Sequence, residues 1–369
     1  MAMVPIVSAE NIAEAPVSGD MIEKNYITPD DALSSSTRVL QQFIESETLG
    51  ENWNHATINP SPLTIYDVNG KRLFYLFTVE KKGEKIGEIQ AAASKILGGS
   101  VVTIGTTSYS TFLDQTSLKL DSLITKKYEN FKITDQKFIS YNYPKLGVLV
   151  SLINSETQDR IDLVYDAGDH HEVSDSEMHS FYSGIPAAEQ TQRVSRYELE
   201  NKASAKATVE THGDVSGFTL VPQINDYWCA LATAQMISNR YSVIYTQTAI
   251  ANTVNIGPTE GIDYLDMLTR YYQRSQSYGG LGKSGSTTVT GGPTTLFNTV
   301  KTEINAQRPV AISTMTHTRA IGGWQQYTGD VNVKHLRMFD PWPANYGFVY
   351  YEDFDQSRNT YIGSILVRN

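Results

Sequence analysis

Cysteine is almost missing from this chain: there is one thiol, Cys229, in 369 residues. A single thiol cannot close an intramolecular disulfide, so no disulfide framework holds the fold, and Cys229 must be explained by packing or by chemistry. Also missing is any stretch near the roughly 20 consecutive apolar residues of a membrane helix, so no helical span is expected. Basic residues are in short supply, 30 Lys and Arg against 40 Asp and Glu, for a net charge of −10. That acidity argues against nucleic acid as a partner, because phosphate binding relies on a basic surface. The N-terminus has no basic region, and its apolar run is too short for a signal peptide.

What the chain does contain divides it in two. An apolar fraction of 40% suffices for ordinary cores, and the length predicts about two or three domains. Residues 215–369 hold 11 Lys and Arg against 10 Asp and Glu, whereas the residues before them hold 19 against 30. The acidity therefore belongs to the first part. Ala187 to Gly213 is polar and without sustained apolar periodicity, which reads as an exposed linker and a preferred site of proteolytic nicking. The expected organisation is a flexible N-terminus over 1–20, a first domain over 21–186, a linker over 187–216 and a second domain over 217–369.

Both domains read as α+β. In the first, Pro62–Val68 and Lys71–Val79 flank Asn69-Gly70, a dipeptide suited to a type I′ hairpin turn, and a second turn at Lys82-Gly83-Glu84 follows. Further strands are expected over Val101–Thr106, Lys137–Tyr141, Leu146–Ile153 and Ile161–Tyr165, with helices over Thr37–Glu47 and Thr111–Tyr128. The second domain reads helix first and sheet later: helices from Asp226, near Gln247, over Gly261–Gln273 and over Pro293–Gln307, then strands after Pro309. Helices segregated from an antiparallel sheet put a site in the cleft between them.

The surroundings of Cys229 favour chemistry. A free thiol with a pKa of about 8.5 is mostly protonated at neutral pH, so a nucleophilic one needs positive charge beside it. A helix N-terminus supplies that charge. Asp226 is the expected N-cap, with Tyr227, Trp228 and Cys229 in the first turn and Ala230, Ala234, Ile237 and Tyr241 recurring at helical spacing. Gln223, six residues upstream, is suited to join the Cys229 N–H in holding an oxyanion. Downstream, Arg308–Ser313 reads as an apolar strand and His317 opens the next, ahead of Gly323-Trp324. Asp340 then stands in Asp340-Pro341-Trp342-Pro343.

Taken in this order, residues from about 217 to 369 resemble the papain-like cysteine peptidases. The closer likeness is to the compact branch that includes streptopain, the bacteriocin-leader-processing peptidases and plant-pathogen effector proteases. The resemblance implies a papain-like catalytic domain with Cys229 as nucleophile, His317 as base, Asp340 as the acid that orients it, and Gln223 in the oxyanion hole. It implies Trp342 as a shield for the His–Asp bond, with Trp228 beside the thiol in a substrate-binding or shielding role. It further implies a polypeptide substrate and an α+β prodomain over 21–186 that inhibits in cis until the linker is cut. The expectation is thus the zymogen of a cysteine endopeptidase, secreted or held at the cell surface, with no cofactor and no metal. Ala230 and Leu231 depart from the residues common after the family's Cys and leave the shape of the side pocket open.

Each motif also has a blander explanation. A lone Cys is more often a small buried apolar residue than a nucleophile; order and spacing together favour the catalytic reading. His335, the rival to His317, alternates as an exposed strand position would. Gly282-Lys283-Ser284 lacks the first glycine of a phosphate loop, since Ser277 stands there. Ser216 lacks the spacing of a nucleophile elbow. Asp166, Asp169, His170, His171 and Glu172 offer metal-binding groups but read as a solvated turn. The same acyl-enzyme chemistry would serve an isopeptidase or acyltransferase, and a non-catalytic binding protein would keep the same fold.

Overall fold

The computed structural model describes residues 15–202, 209–288, 293–329 and 331–368. Its architecture is α+β. The strands are β1 Thr57–Ile58, β2 Leu63–Asp67, β3 Arg72–Lys81, β4 Glu84–Ala92, β5 Val101–Thr106, β6 Phe131–Asn142, β7 Lys145–Asn154 and β8 Arg160–Asp166 in the first part. The second part holds β9 Val209–Asp214, β10 Ser284–Thr288, β11 Val310–Ser313, β12 Thr318–Thr328, β13 Val333–Asp340, β14 Phe348–Asp353 and β15 Gly363–Arg368. The α-helices are α1 Gly19–Lys24, α2 Pro29–Glu45, α3 Tyr109–Lys127, α4 Gln190–Lys202, α5 Cys229–Arg240, α6 Gln247–Val254, α7 Tyr264–Met267, α8 Pro293–Asn305 and α9 Phe354–Ser357.

Local chemistry accounts for most of these elements. Thr28 caps α2 by accepting from the Asp31 N–H at 3.1 Å, and Pro29 occupies the first turn, where its missing N–H costs nothing. The first hairpin forms where expected but with a different turn. Among residues 67–71 only Gly70 is left-handed, the Gly70 N–H reaches Asp67 O, and the ladder carries a bulge at Ile65/Tyr66. The type I′ geometry belongs to the next hairpin, where Lys82 and Gly83 both have positive φ and Lys81 faces Glu84. The helix expected over Gly261–Gln273 is cut to α7 and a π-turn over Leu268–Tyr272.

The two parts share one sheet. Its order runs β10-β15-β11-β12-β13-β14-β5-β4-β3-β2-β6-β7-β8, with β1 on β3 and β9 on β12. All pairs are antiparallel except β2 with β6. The junction is β14 against β5, with Val349 opposite Thr106 and Glu352 opposite Thr103. The core is continuous across it: Phe43 of α2 meets Tyr327, His335 and Tyr351 of the second part edge-on or tilted, at 5.1–6.2 Å.

The stretch read as a linker is largely folded. Within 187–216, α4 docks through polar side chains: Arg193 Nη1 donates to Leu97 O at 3.1 Å, Arg196 Nη2 to Asp353 Oδ2 at 2.6 Å, and Asn201 Oδ1 accepts from Ser35 Oγ at 2.6 Å. These contacts leave no apolar periodicity in the sequence. The remainder of that stretch, 203–208, lies outside the described residues, as do residues 1–14 of the expected flexible N-terminus.

Candidate active site

Helix α5 starts at Cys229 itself, with Trp228 at the N-cap position and no side-chain cap. The partial positive charge of the helix terminus therefore falls on the thiol. Asp226 is not the cap. Asn225 Oδ1 closes the preceding turn by accepting the Tyr227 N–H at 3.0 Å, and the Asp226 carboxyl turns to hydrogen-bond Asp169 of the first part. Leu231, Ala234 and Ile237 bury the helix, while Thr233 Oγ1 donates to Thr318 O at 3.1 Å and ties it to the start of β12.

That tie brings the imidazole to the thiol. His317 closes the β11–β12 turn, its carbonyl accepting the Thr314 N–H at 2.8 Å. His317 Nε2 lies 2.7 Å from Asp340 Oδ1 at the end of β13, and both side chains are fully buried. Nδ1 closes no hydrogen bond of good geometry, yet ring and thiol sit near enough to shift one another. Such contacts are commonly loose before substrate binds. Burial alone would raise the thiol pKa; the neighbouring His317, then Lys145 and the Thr318 backbone, bring it below the ordinary value. Burial alone would lower His317, but the Asp340 charge and hydrogen bond raise it. Asp340 stays low because His317 and Arg319 offset its burial. Thiol, imidazole and carboxylate are thus brought together, an arrangement of the kind that can activate a sulfur nucleophile.

Gln223 is fully buried and braced: its N–H reaches Pro341 O at 3.0 Å and its carbonyl accepts the Asn345 N–H at 2.7 Å. Nε2 donates to Asn225 O at 2.8 Å, while Oε1 has no hydrogen-bond partner among the described residues. A cavity of about 310 Å³ opens beside the thiol, lined among others by Tyr227, Cys229, Gly261, Tyr264, Thr316 and His317. Trp342 is buried, its N–H donates to Asp340 Oδ1 at 3.0 Å, and its ring stacks on Tyr109 at 6.0 Å. Trp228 is not at the cavity. It packs in the helical core with Nε1 on Gly257 O at 3.1 Å, and the half-exposed Tyr227 takes the rim instead.

Two other expectations are corrected. His335 is buried rather than exposed, because β13 is paired on both sides and Phe43 covers the ring, and burial drives its pKa down to about 4. In the acidic turn, Asp166 is fully buried rather than solvated. It accepts from Tyr141 and from the Gly168 and Asp169 N–H groups, while Asp169 is engaged by His171. The Asp166, Asp169 and His171 ligand atoms lie within 4.8 Å of one another, and both carboxylates already accept hydrogen bonds there. Sequence reasoning missed Lys145, Arg319, Tyr350 and Tyr109. Only Arg319, a charge inside the apolar run Ala320-Ile321 and Ala311-Ile312 pairs with, carried a signal.

Residues 215–363 match the Peptidase_C39 like family, so the second part of the chain is similar to a peptidase family over that stretch. No curated protein matches the chain. Among solved structures, that of UfSP from C. elegans is similar at 12% identity with a TM-score of 0.32. The alignment covers 46% of this chain and 36% of that protein, a likeness too slight to carry an argument.

Proposed function

We propose that the protein is a cysteine peptidase hydrolysing peptide bonds through Cys229, His317 and Asp340. The carrying observation is His317, bonded to Asp340 through Nε2 and lining one cavity together with Cys229, in the stretch similar to a peptidase family. The Cys229 thiolate adds to the peptide carbonyl, and the oxyanion is held by Gln223 Nε2–H and the Cys229 N–H. His317 passes its proton to the leaving amine. It then takes one from water, whose hydroxide adds to the thioester and expels the thiolate.

The first part would act as an intramolecular inhibitor of this site, making the full chain a zymogen. Supporting this, Asn142 Nδ2 donates at 2.6 Å to Thr316 Oγ1 on the cavity wall, and Gly168 packs so closely on Trp342 and Pro343 that a Cβ there would lie 2.8 Å from the proline. A polypeptide segment entering the cavity would meet the Asn142 contact on its wall, since Thr316 lines the cavity beside Cys229. The test is peptide hydrolysis by the full chain before and after cleavage between the parts, with Cys229→Ala beside it. Wild type should gain activity on cleavage, Cys229→Ala should have none, and turnover retained by Cys229→Ala defeats the reading.

A further inference from the structure

The carboxylate of Asp340 has two oxygens, and only one is used by the imidazole. Oδ1 accepts from His317 Nε2 and from the Trp342 N–H; Oδ2 accepts from the Tyr350 hydroxyl at 3.0 Å. Without the second anchor, the carboxylate is free to turn about its terminal torsion, which is broad and roughly two-fold. The direction of the Tyr350 bond is fixed by its other neighbours. Arg319 Nη1 lies 2.8 Å from the same hydroxyl and can only donate, so the single Tyr350 proton points to Asp340. Tyr109, the first residue of α3, has its hydroxyl near that of Tyr350, and its ring stacks at 6.0 Å on Trp342, whose backbone N–H is the second donor to Asp340 Oδ1.

Tyr109 belongs to the first part, and so does the next support. Arg319 Nη1 also pairs with Glu352 Oε2 at 2.6 Å, and that oxygen accepts from the Tyr143 hydroxyl at 2.6 Å. Arg319, Glu352 and Asp340 are wholly buried. Tyr109 is held in turn by the buried Glu88, which accepts the Tyr109 N–H at 2.7 Å and the Ser110 N–H at 2.9 Å at the start of α3. Departure of the first part would remove Tyr109 and Tyr143 together, take one hydroxyl donor from Glu352 and the Tyr143 ring from beside Arg319, and free the β14 edge. A buried polar group left without its partner is destabilising, more so when charged.

We infer that the first part is a working component of the site: through Tyr109 and Tyr350 it holds Asp340 in the orientation His317 needs, and it stays docked in the active enzyme. This rests on the peptidase reading of Cys229, His317 and Asp340. It changes what relief of inhibition involves: the contacts at Asn142 and Gly168 move, while the body carrying Tyr109 and Tyr143 remains. Tyr350 and Tyr109 are positioning residues that act through Asp340.

Cys229 is the only thiol, so its alkylation by iodoacetamide reads the site without any substrate. The rate against pH is measured on the full chain for wild type, Tyr350→Phe, Tyr109→Phe and Tyr327→Phe. Tyr327 is a buried tyrosine bonded to Gln325 and serves as the control. With Asp340 unpinned, the thiol returns toward its free pKa of about 8.5, so Tyr350→Phe should move the acid limb up by about one pH unit, about tenfold in rate at pH 6. Tyr109→Phe should move it the same way by about threefold. Tyr327→Phe should lower the melting temperature and leave the limb in place. After cleavage between the parts, the two fragments should co-elute on a sizing column with alkylation and activity intact. Melting shifts without a limb shift, or an active second part eluting alone, would overturn the inference. A wild-type limb already at the free-thiol value would sink the peptidase reading instead.

Discussion

His317, in the turn before β12, and His335, on the neighbouring β13, are equally hidden from water and behave in opposite ways. Burial pushes both toward the neutral form. Around His335 the neighbours are Phe43 and Tyr327 rings, with Asp353 already satisfied by Arg196, so the desolvation is not overcome. Around His317 a hydrogen-bonded carboxylate on one side and a thiol on the other reverse it. Burial is common to both; what makes one ring a candidate base is a buried carboxylate bonded to one nitrogen and a thiol close to the ring.

Substitution of each ring breaks the comparison most directly. His317→Ala should lower turnover per folded molecule by about 10²–10⁴, the usual scale for general acid–base catalysis. His335→Ala should do the reverse, costing about 2–4 kcal/mol in denaturant unfolding through the cavity under Phe43 while the remaining folded protein keeps its turnover. If His335→Ala is the change that stops chemistry, the assignment of the base is wrong. His335 also carries a sign. Its folded pKa is depressed to about 4, so the unfolded chain takes up a proton first, and stability should fall as pH drops from about 6.5 toward 4. That slope should vanish in the variant.

Gln223→Ala tests the proposed oxyanion donor and should cost about 10²–10³ in kcat with little change in KM if its second amide N–H meets the oxyanion. The smallest effect is expected at Asp226. Its carboxyl is raised to about 6 by burial and by Asp169. A folded pKa above the unfolded one stabilises docking below about pH 4, and the contribution is lost as pH rises through about 6. Asp226→Asn should flatten this part of the stability profile, read by melting at pH 5 and pH 7. An unchanged difference between the two pH values would show that the Asp169 contact carries no weight.

Much of this site was legible in the sequence because it is local in register. Gln223 and Cys229 share one loop-to-helix junction, and His317 and Asp340 sit at strand ends that a hydrophobic pattern marks. Asp226 was misassigned because capping preference is a local rule, and a carboxyl from residue 169 competed for it. His335 was misread because alternation assumes one wet face, whereas β13 has strands on both sides and α2 above it. α4 escaped notice because it docks by Arg193, Arg196 and Asn201 rather than by an apolar stripe. Nothing in Tyr109 or Tyr350 alone announces that their hydroxyls meet. The continuity of the sheet was equally hidden, since strand pairing between distant segments leaves no periodic trace.

That continuity sets an order of events during synthesis. Thr106 and Val349 touch across 243 residues of chain, and closing so long a loop is slow relative to forming hairpins such as β3–β4. The first part leaves the ribosome early and waits with β5 as an open edge, whereas β14 arrives among the last segments and finds that edge ready. The first part is in this sense a template, and the late strands complete a sheet already begun rather than nucleating their own.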